Sequence, residues 1–192
     1  MKLSELIKNE VKKHTNAIDF TSQKVFVSNL IFMYQIMIAS ERLLKEAADE
    51  SDGYLRDYYL RHLEEERGHA EWLSDDLKTV GIDVNGIDLL HQAAALAGTQ
   101  YYLIKLVHPA SLLGYMAVLE GNPVGMDFVN QMEYLHGKDL CRTLRYHAEN
   151  DVEHKKELFA MLDLSSHPSI MMNANQTALY LNELAKNLEG II

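Results

Sequence analysis

The chain has 192 residues, of which 47% are hydrophobic and 24% charged, and its formal net charge is −10. These values are typical of a soluble globular protein long enough for one domain with a sizeable core. Because no basic run accompanies the negative charge, we expect neither nucleic acid nor an anionic membrane surface as a partner. Cys141 is the only cysteine, which excludes an internal disulfide and favours a cytoplasmic location.

Neither the N-terminus nor the longest apolar run predicts membrane insertion. The first eight residues are too polar and charged for a signal peptide. The run from Val25 to Ala39 is too short to cross a bilayer and contains Ser28, Asn29 and Gln35. It therefore predicts a buried helix.

Apolar residues recur at helical spacing along the chain, and only three prolines interrupt them. We predict an all-α protein that forms a single domain over residues 1–192. The predicted helices are Ser4 to Ala17 with Ser4 as N-cap, Thr21 to Glu50, Tyr54 to Val80, Leu89 to Val107, a helix after Pro109 that is interrupted at Gly121-Asn122-Pro123 and resumes to His136, Lys138 to Leu162, and Pro168 to Leu188. The seam of the second helix consists of Phe26, Leu30, Met33, Met37 and Leu44.

The sixth predicted helix places polar residues within an apolar seam. His147, Asp151 and His154 stand at i, i+4 and i+7, so they share one helix face. Core residues of the same stripe are Leu140, Leu144, Leu158 and Met161. Burying a polar group without a partner costs roughly 2–7 kcal/mol, which favours a metal ion as that partner. Hydrogen bonding of Asp151 to one of the histidines is the alternative.

On the third predicted helix, three consecutive glutamates precede a histidine. Glu66 has His62 and His69 among its neighbours one turn away and is predicted to face inward. Glu64 lies on the solvated face and Glu65 lies between the two, so a surface role is preferred for both. Glu66 and His69 then form the Glu-x-x-His pair that helical di-iron and di-manganese proteins use.

Glu120 ends an apolar helix face that includes Leu113 and Met116. It either needs a counter-charge or is solvated at the helix end. The three segments together supply six candidate ligands, which are Glu66, His69, Glu120, His147, Asp151 and His154. A mixed carboxylate and imidazole set of this size suits two iron or manganese ions better than zinc, which prefers four ligands.

This order of residues resembles the ligand pattern of the heme-oxygenase-like di-iron oxidases and oxygenases. That superfamily includes pyrroloquinoline-quinone-synthase-like and thiaminase-like proteins. The matching motifs are Glu66-x-x-His69, Glu120 and His147-x-x-x-Asp151-x-x-His154, and residues 65–69 and 108–115 are also similar. The resemblance covers about residues 20–165 and implies a bundle of about seven helices with iron, not heme, held between three core helices.

The resemblance also implies a non-heme di-iron oxidase or oxygenase whose reduced iron activates dioxygen. All six residues would bind the two iron ions, with manganese as the alternative metal and Glu120 as the bridging ligand. The substrate would be a small amino acid, amine or acyl chain that undergoes desaturation, carbon–carbon cleavage or N-oxygenation. An external electron donor is a further expected partner, and a homodimer is common among such proteins.

Five further residues are candidates for the surroundings of the ligands. His62, one turn before Glu66, is expected to support a ligand. Tyr58, Tyr59, Met116 and Tyr146 are bulky residues at helical spacing, which favours the core over a place in the pocket wall.

Three other functions compete with this interpretation. A ferritin-like carboxylate protein that oxidises or stores iron would use Glu41 and leave His147 unexplained. A true heme oxygenase would use His14 as its heme ligand, but the six ligands elsewhere would then have no role. A non-catalytic helical interaction protein fits the acidic, helix-rich chain but gives no reason for the buried polar seam.

Overall fold

The computed structural model describes residues 2–13, 18–121 and 124–191. These residues contain nine α-helices and no strands. Within these ranges, residues 10, 11, 13 and 151–153 are described by their backbone only. The helices are α1 (Leu3–Lys13), α2 (Gln23–Asp49), α3 (Gly53–Glu66), α4 (His69–Lys78), α5 (His91–Leu106), α6 (Leu112–Leu119), α7 (Met126–His136), α8 (Arg142–Leu164) and α9 (Ser169–Ala185). The all-α prediction is confirmed.

The third predicted helix is divided into α3 and α4, so the prediction of one continuous helix to Val80 was wrong. Gly68 adopts a left-handed backbone conformation with φ of 88°, which a glycine tolerates without a steric penalty. Its N–H donates a hydrogen bond to Glu41 Oε1 at 3.2 Å. The partner that accepts this bond belongs to α2, and helical periodicity within residues 54–80 contains no information about it.

The first helix also differs from its prediction. Ser4 lies inside α1 and not at its N-cap, and its hydroxyl donates to Asp163 Oδ1 at 2.9 Å. This bond ties α1 to the end of α8. The predicted extension over residues 14–17 lies outside the described residues.

The helix α2 packs against α3, α4 and α5, while α6 packs against α9. The long apolar face of α2 explains why this helix lies at the centre of these contacts, since its residues Phe32 and Ile36 are almost completely buried. The contact between α6 and α9 depends on a glycine: a Cβ atom at Gly114 would lie 2.1 Å from Ile170 O. Within the described ranges, none of the helices combines the length and apolarity that a bilayer crossing requires.

Candidate metal centre

Three of the predicted ligands converge where α3, α4 and α8 meet. Glu66 is the last residue of α3, His69 is the first of α4, and His147 lies in α8. Each offers one ligand atom, and these atoms lie within 4.8 Å of one another. Glu66 Oε2 lies 3.1 Å from His69 Nδ1, and the rings of His69 and His147 are perpendicular with centroids 4.9 Å apart. We call these three residues the first group.

A second group consists of His62, Glu120 and His154. His62 Nε2 lies 3.1 Å from Glu120 Oε2, and the ring centroids of His62 and His154 are 5.4 Å apart. His154 Nδ1 lies 3.9 Å from Glu66 Oε1, so the two oxygens of Glu66 approach different groups. Glu66 therefore lies between the two groups, with one carboxylate oxygen toward each of them. The role of Glu120 as a bridging ligand stays a prediction.

Carboxylates and imidazoles in these groups shift one another's pKa values. Burial opposes protonation of His62, but the charges of Glu120, Glu66 and Glu65 outweigh it and raise the pKa of His62 to about 9. Burial alone would raise the pKa of Glu66. The hydrogen bond from His69 and the nearby charge of His147 instead lower it. The carboxylates thus favour positive charge at this point, whether it is a proton or a metal ion.

The sequence interpretation assigned Glu65 to the surface, but its carboxylate lies close to two histidines of the second group. Its Oε2 lies 3.6 Å from His62 Nδ1 and 3.6 Å from His154 Nε2. Neighbours within α3 placed Glu65 at the edge of the buried face, and the contact that draws it in comes from His154 on α8. A polar hollow of about 300 Å³ begins here and is lined by Glu65, Tyr146, Glu149, Asn150, His154 and Glu157.

Two aromatic residues cover the first group from the solvent side. The His69 ring lies 4.6 Å from the Trp72 ring and 5.2 Å from the Tyr146 ring, measured between centroids. Both aromatic side chains are partly exposed, whereas His69 is buried. They therefore keep water from one side of the candidate ligands.

An apolar cavity of about 330 Å³ adjoins the centre. Its wall includes Glu66, Glu120 and His147, and it continues along α2. Among the bulky residues considered above, Met116 lines this cavity. Tyr59 belongs to the core and donates a hydrogen bond to Pro109 O at 2.9 Å.

Of three further residues named by the sequence interpretation, the structure describes only the side chain of Glu41. The side chain of Asp151 lies outside the description, although its backbone continues α8, and His14 lies outside the described residues. Glu41 accepts the hydrogen bond from Gly68 N at the start of α4. It is not among the described residues that cluster as metal ligands.

A buried carboxylate fixes α8 against α4. Asp76 is 1% exposed and accepts hydrogen bonds from Arg142 Nε and Thr143 N, both at 2.8 Å. Arg142 and Thr143 are the first residues of α8, where a negative charge also favours the helix dipole. This contact therefore joins the helix that carries His69 to the helix that carries His147.

Replacing Asp76 by alanine is expected to lower the free energy of unfolding by about 2–3 kcal/mol, since two charge-assisted hydrogen bonds are lost. Urea denaturation followed by circular dichroism measures this change. Asp75→Ala is the matched control, because Asp75 is exposed and forms a surface ion pair with Lys78, which contributes little to stability. Equal stability of the two variants would contradict the assigned role of Asp76.

Comparison with solved structures finds a similarity that covers almost the whole chain. A domain of unknown function with a heme oxygenase-like fold, from Shewanella denitrificans OS217, superposes with a TM-score of 0.73 over 97% of this chain and 90% of that chain. The chain has a heme oxygenase-like fold. The two sequences share 15% identity, so this similarity concerns the fold alone. No family model and no curated protein matches the chain.

The heme oxygenase-like fold confirms the architecture that the ligand order implied. Nine described helices replace the expected seven or so, because the third predicted helix is broken at Gly68 and the fifth is interrupted between α6 and α7. The solved domain is itself of unknown function, so the similarity assigns no activity to this chain.

Proposed function

We propose that this chain is a non-heme di-iron oxidase or oxygenase that oxidises a small organic substrate with dioxygen. The observation that carries the proposal is the place of Glu66, whose two oxygens approach His69 on one side and His154 on the other. A carboxylate between two imidazole groups can bridge a pair of metal ions, as in helical di-iron and di-manganese proteins.

The first group fits one ion of such a pair. Metal–ligand bonds of about 2.0–2.2 Å separate two ligand atoms of one ion by at most about 4.4 Å. The ligand atoms of Glu66, His69 and His147 lie within 4.8 Å of one another, so shifts of a few tenths of an ångström bring them into range of one ion. Glu120, His154 and Asp151 complete the proposed ligand set. Carboxylate and imidazole donors without thiolate suit iron, with manganese as the alternative.

Bound iron would supply the redox chemistry with dioxygen, with an external donor providing electrons. The protein residues have separate tasks. Trp72 and Tyr146 exclude water from His69. His62 approaches Glu120 at 3.1 Å and holds its carboxylate toward the centre. The apolar cavity beside Glu66 and His147 admits and orients the substrate.

Iron titration under anaerobic conditions tests this proposal. Metal-free protein is loaded with Fe(II), the bound iron is counted by elemental analysis, and absorbance is followed after exposure to oxygen. We expect two iron ions per chain and an absorbance change that protein without iron does not show. A chain that binds no iron, or binds iron that does not react with oxygen, would refute the proposal.

A further inference from the structure

Two His-Pro dipeptides meet in the fold, and they are His108-Pro109 before α6 and His167-Pro168 before α9. The imidazole rings of the two histidines stack, with an angle of 15° between their planes and centroids 4.1 Å apart. We propose that this pair is an acid-sensitive latch between α6 and α9, which accepts one proton on His167 and opens when a second proton reaches His108. The latch is independent of the function proposed above.

The hydrogen-bond geometry of His108 leaves no room for a hydrogen on its Nδ1 atom. This atom accepts a hydrogen bond from Ala110 N at 3.1 Å. A backbone N–H can only donate, so the neutral ring of His108 holds its hydrogen on Nε2. A proton added to His108 would go to Nδ1 and would break the bond that caps the turn Pro109–Ser111, from which α6 continues.

The geometry of His167 requires the opposite, a hydrogen on Nδ1. A chain of three short contacts runs from this atom through Ser169 Oγ and Ser111 Oγ to His108 O, with lengths of 2.7, 2.7 and 2.5 Å. Each contact needs one hydrogen, and the two hydroxyl groups supply two of the three. The third comes from His167 Nδ1, because the longer approach of Ser169 N to the same atom, at 3.3 Å, cannot replace it. Nε2 of His167 is then the nitrogen that takes up a proton in acid.

The two rings therefore respond differently to a falling pH. His167 takes a proton on Nε2 while its chain of hydrogen bonds stays intact. A proton on His108 would cost the bond from Ala110 N and would place two charged rings 4.1 Å apart. Burial and the neighbouring His167 both lower the pKa of His108 below its ordinary value. The stacked pair thus holds one added proton, and a second proton separates the rings.

The elements packed around the latch supply no free carboxylate, among the residues that the structure describes, to balance a second proton. The turn before α6 contacts α2, α5, α6 and α9, and Tyr59 of α3 donates a hydrogen bond to it. Charged groups on α2, α5 and the end of α8 are engaged in ion pairs, and they are Glu46 and Glu50 with Lys105, and Asp163 with Lys2. Tyr115 of α6 is bonded to Ser40, and the first eleven residues of α9 include no ionisable side chain. Within the described part of the chain, His167 is therefore the group whose charge acts on His108.

The latch lies at the joint where α6 and α9 pack most closely. Ser111 and Ser169 are buried, and Asn173 of α9 donates hydrogen bonds to Ser111 O and to Gln100 Oε1 of α5, both at 2.7 Å. Opening of the latch exposes these buried polar groups to water. Because α6 leads directly to Glu120, the same event loosens one support of the candidate metal centre.

Nuclear magnetic resonance of the full-length chain tests the proton positions. Long-range ¹H–¹⁵N correlations of the histidine rings report which nitrogen carries the hydrogen, and His108→Asn and His167→Asn assign the signals. At pH 8 we expect the hydrogen on Nε2 of His108 and on Nδ1 of His167. On acidification His167 should take up its proton first, and His108 should titrate at lower pH than exposed His91. Equal hydrogen positions in the two rings, or titration of His108 together with His91, would overturn the inference.

The pH dependence of thermal stability tests the latch itself. Unfolded His108 takes up a proton near pH 6.5 and folded His108 does so at lower pH, so stability is complete above pH 6.5 and falls below it. In His108→Asn the amide oxygen can still accept from Ala110 N, but nothing titrates. Between pH 7.5 and pH 5.0 we expect the Tm of the wild type to fall by about 5 °C more than that of His108→Asn. His91→Asn is the control and should keep the wild-type pH dependence. An equal loss of Tm in the wild type and in His108→Asn would contradict the latch, and should His108→Asn not fold, the wild-type resonances decide.

Hydrogen exchange locates the part of the fold that acid loosens. Exchange is followed by mass spectrometry at pH 7.5 and pH 5.0, with rates corrected for the intrinsic effect of pH. We expect peptides of α6 and of the first half of α9 to lose protection about tenfold more than peptides of α7, and this difference to vanish in His108→Asn. An equal loss of protection in all three helices would show that acid acts on the whole fold and not through this pair.

Discussion

Gly114→Ala is expected to destabilise the protein by about 3 kcal/mol or more, enough to prevent folding in a chain of ordinary stability. The added methyl carbon would lie 2.1 Å from Ile170 O and 2.9 Å from Ala174 N. Both are backbone atoms of α9, so no side-chain rotation relieves the clash and the two helices must separate. Thermal unfolding, or the yield of soluble protein, measures the effect.

Gly98→Ala is the control for this substitution. Gly98 lies within α5, and nothing lies within 4 Å of a Cβ atom placed there. Alanine favours a helix over glycine by about 1 kcal/mol, so this variant should be as stable as the wild type or slightly more stable. A Gly114→Ala protein that unfolds at the same temperature as Gly98→Ala would show that α6 and α9 are less closely packed than described.

His147→Ala is expected to lower iron affinity by about 100-fold or more. Loss of a residue that only supports a ligand lowers metal affinity by about 10–100-fold, and loss of the ligand itself should lower it further. Glu41→Ala should retain iron, since its carboxylate accepts a hydrogen bond from Gly68 N. Competition with a chelator of known iron affinity measures both. His91→Ala controls for the loss of a histidine, as His91 is exposed at the start of α5.

The opposite pattern would favour the ferritin-like alternative. In that case Glu41→Ala loses iron while His147→Ala keeps it, because the ferritin-like ligand set needs a carboxylate from α2 and has no place for His147. Loss of iron in His91→Ala would instead indicate unspecific binding through surface histidines.

Helical periodicity predicted most of the fold, since long apolar seams fix both the helices and the faces that they bury. It also predicted that Glu66 faces inward. The same periodicity could not separate α3 from α4, because the bond between Gly68 and Glu41 depends on tertiary structure. For the same reason it could not find the approach of Glu65 to His154.

The apolar seam of α2 shows a second limit of sequence patterns. Phe26, Leu30 and Met33 were predicted as packed seam residues, and they line a cavity. A residue beside an internal space and a residue in a filled core have the same hydrophobicity. Only the volumes of the facing helices decide between them, and these are set by packing across the whole bundle.

The break at Gly68 separates two candidate ligands that would otherwise belong to one rigid rod. Glu66 ends α3 and His69 begins α4, so each is carried by its own helix. The angle between these helices sets the bite of the Glu66–His69 pair, and the backbone torsion at Gly68 controls that angle. Under the function proposed above, metal affinity would therefore depend on the backbone conformation of Gly68, a residue that itself offers no donor side chain.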